Sequence, residues 1–311
     1  MRPPAYEPML ATPWPHPFTD DGWLFEPKWD GVRGIVNWDG SAVRIHTRRG
    51  TDVSDRYPEL KRLDGLPACV LDGEIVAFDD SGAPSFERLQ QRIHRIGGRG
   101  AAHPVALLAF DLLHLEGEDL TAQPVERRIE RLGALHLPSP YEWVPPTPGD
   151  GLGLWEIVQE RDIEGMVAKR LGSPYRPGTR SPEWRKIHNT HTAKALVGGF
   201  TPGEGGRWAT FGALLVGLPR DGALRWVGAV GTGFSDDALT AIRAALDEMA
   251  VERSPFHPDP EIPAATWVEP GLVAAVGYRN WTAAGRLRHP VFKGFTDDDP
   301  GTITWETEGP R

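Results

Sequence analysis

The 311-residue sequence is poor in cysteine, in long apolar runs and in any excess of positive charge. Cys69 is its only cysteine, which excludes an intrachain disulfide and a cysteine-rich zinc site. No run of about 18 apolar residues occurs, and the N-terminus lacks the basic and apolar regions of a signal peptide. We therefore expect a cytoplasmic protein without a membrane partner.

The net charge of −9 argues against a simple nucleic-acid binder, since such proteins usually carry a basic domain. One segment differs, because residues 88–103 hold four arginines and no acid. The arginines follow one stripe of a predicted helix, at Arg88, Arg92, Arg95 and Arg99. This spacing predicts a row of guanidinium groups that could follow a phosphate backbone, and the alternative is a solvated helix face.

The pattern of predicted strands and helices changes after about residue 190. The first part alternates strand-like runs with helices predicted over residues 58–63, 86–96, 124–135 and 152–161. The second part contains short strands, including one predicted over residues 267–278, and a helix predicted over residues 236–251. We expect an α+β chain with domains at residues 1–190 and 191–311, and the second has a pattern that suits a small β-barrel or another small β fold.

Residues 26–33 read Glu-Pro-Lys-Trp-Asp-Gly-Val-Arg and contain the parts of a nucleophilic site. Lys28 becomes a nucleophile only when it loses its proton, which neighbouring cations or desolvation favour. Gly31 permits a close backbone approach to a ligand, and Arg33 offers a fork of donors for phosphate oxygens. A strand end followed by a turn with solvated charges is the alternative interpretation.

Four other segments carry candidate site residues. Glu74 lies among apolar strand residues 71–76, and Glu164 begins the strand-like run 164–169, so both are candidate ligands for a hard divalent cation. Strand alternation puts Lys186 and His188 on one face, which suits a phosphate. Phe110 ends an apolar run and could stack on a base, although turn acids and a core phenylalanine are the ordinary explanations.

Six segments in this order resemble the ATP-dependent DNA ligases of the covalent nucleotidyltransferase superfamily, and specifically the compact ligases of bacterial end joining. They are residues 26–33, 47–50, 71–76, 110–113, 164–169 and 184–188. The resemblance continues through residues 226–234 to 288–292. It implies an adenylation (nucleotidyltransferase) domain with mostly antiparallel sheets over residues 1–190, and an OB-fold domain over residues 191–311.

The resemblance also implies a role for each motif residue. Lys28 would attack the α-phosphate of ATP and hold AMP, and AMP would then pass to the 5′-phosphate of a nick before the strand is sealed. The other implied roles are adenine contact for Glu26 and Phe110, phosphate or nick contact for Arg33 and Arg48, ribose contact and catalysis for Glu74, a Mg²⁺ or Mn²⁺ ligand role for Glu74 and Glu164, and charge neutralisation for Lys169, Lys186 and His188.

The implied substrate is nicked double-stranded DNA in repair, the implied partner is a Ku-like end-binding protein, and we expect a nucleoid-associated monomer. Related ligases carry an arginine and a lysine where this chain has Thr296 and Asp299. Acids near a triphosphate repel it, which predicts slow reaction with free ATP unless Lys293, Arg286 or Arg288 substitutes. An RNA ligase or capping-type nucleotidyltransferase, and a catalytically impaired scaffold that binds DNA ends, are the alternative functions.

Overall fold

The computed structural model describes residues 3–80, 82, 84–93 and 103–310. The chain divides into two compact units, Met1–Asn189 and Thr190–Arg311, and this boundary lies one residue from the one expected from the sequence. Among the described residues, no helix has the length and apolar character needed to cross a lipid bilayer.

The first unit contains eleven strands and three helices among its described residues. In chain order they are β1 (Leu10–Pro13), β2 (Trp23–Pro27), β3 (Val32–Trp38), β4 (Val43–Thr47), β5 (Cys69–Ala77), α1 (Phe86–Ile93), β6 (Val105–Leu115), β7 (Glu118–Asp119), α2 (Val125–Ala134), β8 (Tyr141–Trp143), β9 (Thr147–Pro148), α3 (Gly151–Glu160), β10 (Gly165–Arg170) and β11 (Arg180–His188).

These strands form two sheets that are mostly antiparallel, as expected. One has the order β1-β11-β10-β2-β9, in which only the β1–β11 pair is parallel. The other has the order β4-β3-β5-β6-β7, with β8 parallel to β6. The main hydrophobic core of the unit lies on this second sheet and includes Leu71, Ile75, Leu107 and Leu132.

Strand alternation gives the first sheet two chemically different faces. Phe25, Met166 and Ile187 are buried with Leu154 and Val158 of α3 in one apolar cluster. Residues offset by one position, including Glu26, Val167 and Lys186, line an open cleft. Because successive side chains on a strand point to opposite faces, the same three strands supply both a core and a polar site.

The second unit is a seven-stranded antiparallel sheet with a helix. Its elements are β12 (His191–Phe200), β13 (Leu214–Arg220), β14 (Ala223–Val230), α4 (Asp236–Glu248), β15 (Ala250–Val251), β16 (Thr266–Val268), β17 (Val273–Tyr278), β18 (Val291–Thr296) and the single-turn helix α5 (Trp305–Glu308). Strand β12 pairs with β13, β16 and β17, which curls the sheet around one buried apolar cluster. This agrees with the expected OB-type barrel.

Two local predictions were wrong. The predicted helix over residues 58–63 is instead the 3-10 turn Pro58–Leu60, which follows another such turn at Ser54–Arg56 and is followed by residues without helical structure. Leu60 and Leu63 are both fully buried although Leu63 lies outside the turn, so their spacing reflects packing on the core and not a helix. The strand predicted over residues 267–278 is two strands, because Glu269, Pro270 and Gly271 interrupt it and proline donates no ladder hydrogen bond.

Candidate active site

An open cleft of about 900 Å³, including its mouth, lies on the polar face of the first sheet. It is lined by most of the residues that the sequence motifs singled out, namely Glu26, Lys28, Arg33, Arg48, Glu74, Phe110, Lys169 and Lys186. These motifs span some 160 residues of sequence, so their convergence at one cleft is a property of the fold.

Lys28 directly follows β2 and is held by its backbone. Its N–H donates to the carbonyl oxygen of Gly165 at 2.8 Å, where β10 begins. Its side chain is 24% exposed, and the ammonium group forms an ion pair with the carboxylate of Glu164. The predicted nucleophile is therefore accessible from the cleft and has a proton acceptor beside it.

The carboxylate of Glu164 lies close to two predicted site residues, Lys28 and His188. The carboxylate oxygen that binds Lys28 also lies 3.7 Å from Nδ1 of His188. His188 does not line the cleft, unlike Lys186 on the same strand. The phosphate contact implied for His188 therefore stays a prediction, and its position instead favours a role in orienting Glu164.

Glu26 and Lys169 form a buried pair at the inner end of the cleft. Nζ of Lys169 donates to the Glu26 carboxylate at 2.9 Å and to the Phe110 carbonyl oxygen at 2.6 Å. It also lies 4.9 Å from the centre of the Phe110 ring and 4.6 Å from that of Trp184. Burial raises the pKa of Glu26, and Lys169 partly offsets this. Lys169 is thus placed with the predicted adenine contacts, and its implied charge-neutralising role is untested.

Arg33 is bound on one side by a buried acid. Its Nε and Nη2 donate to the Asp72 carboxylate at 2.9 and 2.5 Å, and Tyr175 donates its hydroxyl to the same carboxylate at 2.7 Å. Asp72 is fully buried, whereas the Arg33 side chain is 18% exposed at the cleft. Only the part of the guanidinium that faces the cleft is available for the predicted phosphate or nick contact.

Glu74 is an acid in the cleft whose charge is only partly compensated by its surroundings. Burial raises its pKa to about 7, and the nearby charges of Lys28 and Arg33 only partly oppose this. A divalent cation beside Glu74 would favour the ionised form. No cluster of three or more metal-ligating side chains occurs among the described residues, so such a cation would need phosphate or water oxygens as further ligands.

The same cleft is lined by three further cations, Lys186, Arg48 and Arg180. Burial lowers the pKa of Lys186, and the charges of Lys28, Arg180 and Arg48 lower it further, so these groups lie close together. Arg180 also donates to the carbonyl oxygen of Ala11. The sequence analysis missed Arg180, although it lies six residues before Lys186 and so on the same strand face.

The predicted arginine stripe is described in part. Helix α1 is described over Phe86–Ile93, and Arg95 and Arg99 lie outside the described residues. Arg88 forms an ion pair with Asp80 at 2.6 Å, and Arg92 pairs with Glu59 and donates to the carbonyl oxygen of Arg56 at 2.8 Å. The contact of this row with a phosphate backbone stays a prediction, and a phosphate would have to compete with the carboxylates that Arg88 and Arg92 already bind.

Comparisons with known proteins identify the family. Residues 8–188 match the model of the ATP dependent DNA ligase domain, and residues 207–299 match that of the ATP dependent DNA ligase C terminal region. The chain belongs to the ATP-dependent DNA ligases. It is therefore an adenylation domain followed by an OB-fold domain, as the resemblance implied, and this family assignment disfavours the RNA ligase and capping alternatives.

Individual relatives agree with this assignment. The multifunctional non-homologous end joining protein LigD of Mycolicibacterium smegmatis is 38% identical over 98% of this ligase, which spans only 40% of that protein's length. The structure of mycobacterial DNA ligase D complexed with ATP and MES is 35% identical, with a TM-score of 0.57, over 96% of this chain and 98% of that one. The structure of a Lig E DNA ligase shares the fold, with a TM-score of 0.64. It is 20% identical in sequence, and the match covers 94% of this chain and 100% of that one.

Proposed function

We propose that this ligase seals 5′-phosphorylated nicks in duplex DNA through an AMP bound covalently to Lys28. This proposal rests on the accessible amine of Lys28. The cleft around it also holds a buried acid, aromatic rings and clustered cations. In the first step, the neutral Nζ of Lys28 would attack the α-phosphorus of ATP, and pyrophosphate would leave. AMP would pass to the 5′-phosphate of the nick, and the 3′-hydroxyl would then displace it.

The described contacts divide the cleft between base and phosphate. Glu26, held by Lys169, offers a carboxylate oxygen to the adenine amino group, and Phe110 offers a ring face for stacking. Lys186, with Arg48 and Arg180 nearby, would neutralise the negative charge that develops on the α-phosphate and the leaving group. Two ammonium groups close together also favour loss of a proton from one of them, which the attack of Lys28 requires.

We infer that Mg²⁺ or Mn²⁺ enters this cleft with the phosphates. Glu74 and Glu164 are the carboxylates that would hold it, and the poorly compensated Glu74 fits such a cation. When bound, the metal would neutralise phosphate charge and act as a template for in-line displacement. Glu164 would have to release Lys28 to bind the metal, and that release would also free the amine.

The test is labelling with α-³²P-ATP, followed by denaturing gel electrophoresis and a chase with nicked duplex. Wild type should form an acid-labile protein adduct that the nick discharges, whereas Lys28→Ala should form none. Lys61→Ala is the matched control, because Lys61 is a surface lysine paired with Asp55 and should label normally. Equal labelling of Lys28→Ala would refute the proposal, and a GTP adduct would revive the capping alternative.

The impaired-scaffold alternative makes a separate prediction. Asp299 uses its carboxylate to accept the N–H of Gly301 at 2.9 Å and so caps a 3-10 turn, which gives this acid a structural use. We expect slow labelling from free ATP and faster sealing of a nick that already carries AMP. A scaffold would bind the nick but would not seal even the pre-adenylylated one. Fast labelling from ATP would contradict the inferred defect.

We further propose that the ligase acts in DNA end joining with a Ku-like partner. Similarity to LigD proteins named for non-homologous end joining supports this pathway. Addition of purified bacterial Ku should increase joining of linear DNA but not sealing of nicked circles. Equal effects on both substrates would argue against a specific partner.

A further inference from the structure

One segment of the OB unit has a charge opposite to that of the rest of the chain. Residues 195–311 contain ten lysines and arginines against fifteen acids. Residues 270–296 contain four of those cations and none of the acids: Arg279, Arg286, Arg288 and Lys293. The segment comprises β17, β18 and the connection between them, so the positive charge is concentrated in one part of the barrel.

Within this segment, Arg286 is held by an aromatic ring. Its guanidinium carbon lies 4.4 Å from the centre of the Trp226 ring on β14. No hydrogen bond or ion pair involves that guanidinium within residues 3–80, 82, 84–93 and 103–310. Burial lowers its pKa, so the group is partly desolvated while its donors are unused. A guanidinium that stacks on an aromatic face keeps its donors free for a planar or tetrahedral anion.

The surroundings fix both members of the pair. Nε1 of Trp226 donates to the carbonyl oxygen of Gly228 at 2.8 Å, which sets the orientation of the ring. The N–H of Leu287 donates to the Val227 carbonyl oxygen at 2.8 Å, and Leu287 is buried. The N–H of Arg286 donates to the Thr282 hydroxyl at 3.1 Å. Little conformational entropy remains to be lost when an anion binds here.

We propose that Arg286, supported by Trp226, binds a backbone phosphate of the duplex, and this rests on the proposed function because it takes DNA as the substrate. A rigid, unpaired guanidinium in an acid-free segment suits a polyanion that this acidic chain otherwise repels. The triphosphate end of ATP offers the same chemistry. The DNA backbone is favoured because three of the four cations lie in the connection after β17 and the fourth, Lys293, lies on β18. The positive charge therefore extends over residues 279–293, which suits an extended ligand.

The experiment measures binding of a nicked duplex with a dideoxy 3′ end by fluorescence anisotropy between 0.05 and 0.4 M salt. Loss of one phosphate contact should reduce the slope of log K against log salt by about 0.9. Arg286→Ala should therefore bind about eightfold more weakly near 0.1 M salt, with a difference that shrinks as salt rises. Trp226→Leu should show a smaller loss, because it removes the support and keeps the charge.

Two controls decide the interpretation. Arg253→Ala removes an exposed cation of the same unit outside the segment and should keep the wild-type slope. Arg286→Lys should retain the slope, and circular dichroism should show that each variant is folded. An unchanged slope in Arg286→Ala, or a slope change equal to that of Arg253→Ala, would overturn the proposal.

A second readout separates DNA from ATP as the source of the phosphate. Arg286→Ala should leave the ATP concentration for half-maximal Lys28 labelling unchanged. A raised ATP requirement with an unchanged DNA slope would assign the site to the triphosphate and overturn the proposal. If wild type forms no Lys28 adduct, the proposed function fails. The salt dependence of DNA binding by Arg286→Ala still tests the role of Arg286 independently.

Discussion

Removing the guanidinium of Arg128 should destabilise the adenylation domain more than removing any surface cation. Arg128 and Asp111 are both fully buried, and Nε and Nη2 of Arg128 donate to the Asp111 carboxylate at 2.7 and 2.9 Å. Nη1 donates to the carbonyl oxygens of Gln123 and Ser173 at 2.6 and 3.1 Å. Arg128→Leu would remove four hydrogen bonds and leave a buried, unpaired carboxylate.

The expected cost is about 3–5 kcal/mol of the free energy of unfolding, the usual range when one partner of a buried ion pair is removed. The adjacent residue provides a matched control. Arg127 pairs with Glu130 on the surface of the same helix, where the two side chains are 67% and 68% exposed. Arg127→Leu should cost at most about 1 kcal/mol.

Urea denaturation followed by tryptophan fluorescence compares the two variants. A second test is Asp111→Leu combined with Arg128→Leu, which should recover much of the loss because no charge then remains buried without a partner. Equal destabilisation by Arg127→Leu and Arg128→Leu would refute the reasoning. Failure of the double variant to recover stability would show that the backbone contacts of Arg128 matter more than its charge.

Three further predictions concern the cleft and the arginine helix. Because burial raises the pKa of Glu74 from about 4.5 to about 7, the cost of its ionisation to folding grows between these two pH values and is complete above pH 7. Glu74→Gln should therefore raise the melting temperature in EDTA at pH 8, not at pH 4, while it abolishes labelling. Lys169→Met should raise the KM for ATP more than it lowers the maximal labelling rate, since Lys169 binds Glu26. Arg92→Ala should destabilise the fold, and Arg88→Ala, whose partner Asp80 is exposed, should weaken nick binding alone, as measured by melting and anisotropy.

The sequence predicted the cleft where local chemistry was enough. Lys28 and Lys186 lie in short motifs whose spacing reflects a strand end or strand alternation, and both line the cleft. The partners of these residues could not be predicted in this way. Asp72 binds Tyr175 across 103 residues of sequence, and Lys28 binds Glu164 across 136, so both contacts depend on how the strands pair.

The same limit explains the errors in secondary structure. Strand β1 lies in a proline-rich segment that carries no alternating pattern, and it forms because its partner β11 offers a parallel edge. The segment at residues 58–63 was mistaken for a helix because Leu60 and Leu63 both pack on the core, although only Pro58–Leu60 forms a 3-10 turn. Long strands such as β5 and β6 were predicted closely, since their apolar runs are buried on both sides.

The buried charges beneath the cleft explain how an acidic chain can bind two polyanions. Three buried pairs lie there, each with one acid and one base: Glu26 with Lys169, Asp72 with Arg33, and Asp111 with Arg128. Each pair is neutral, so it fixes neighbouring strands and adds little to the field at the cleft. Arg48, Arg180 and Lys186 line the cleft without such a buried partner and outnumber the poorly compensated Glu74. The cleft is therefore positive locally, and the net charge of −9 over the whole surface matters much less at this distance.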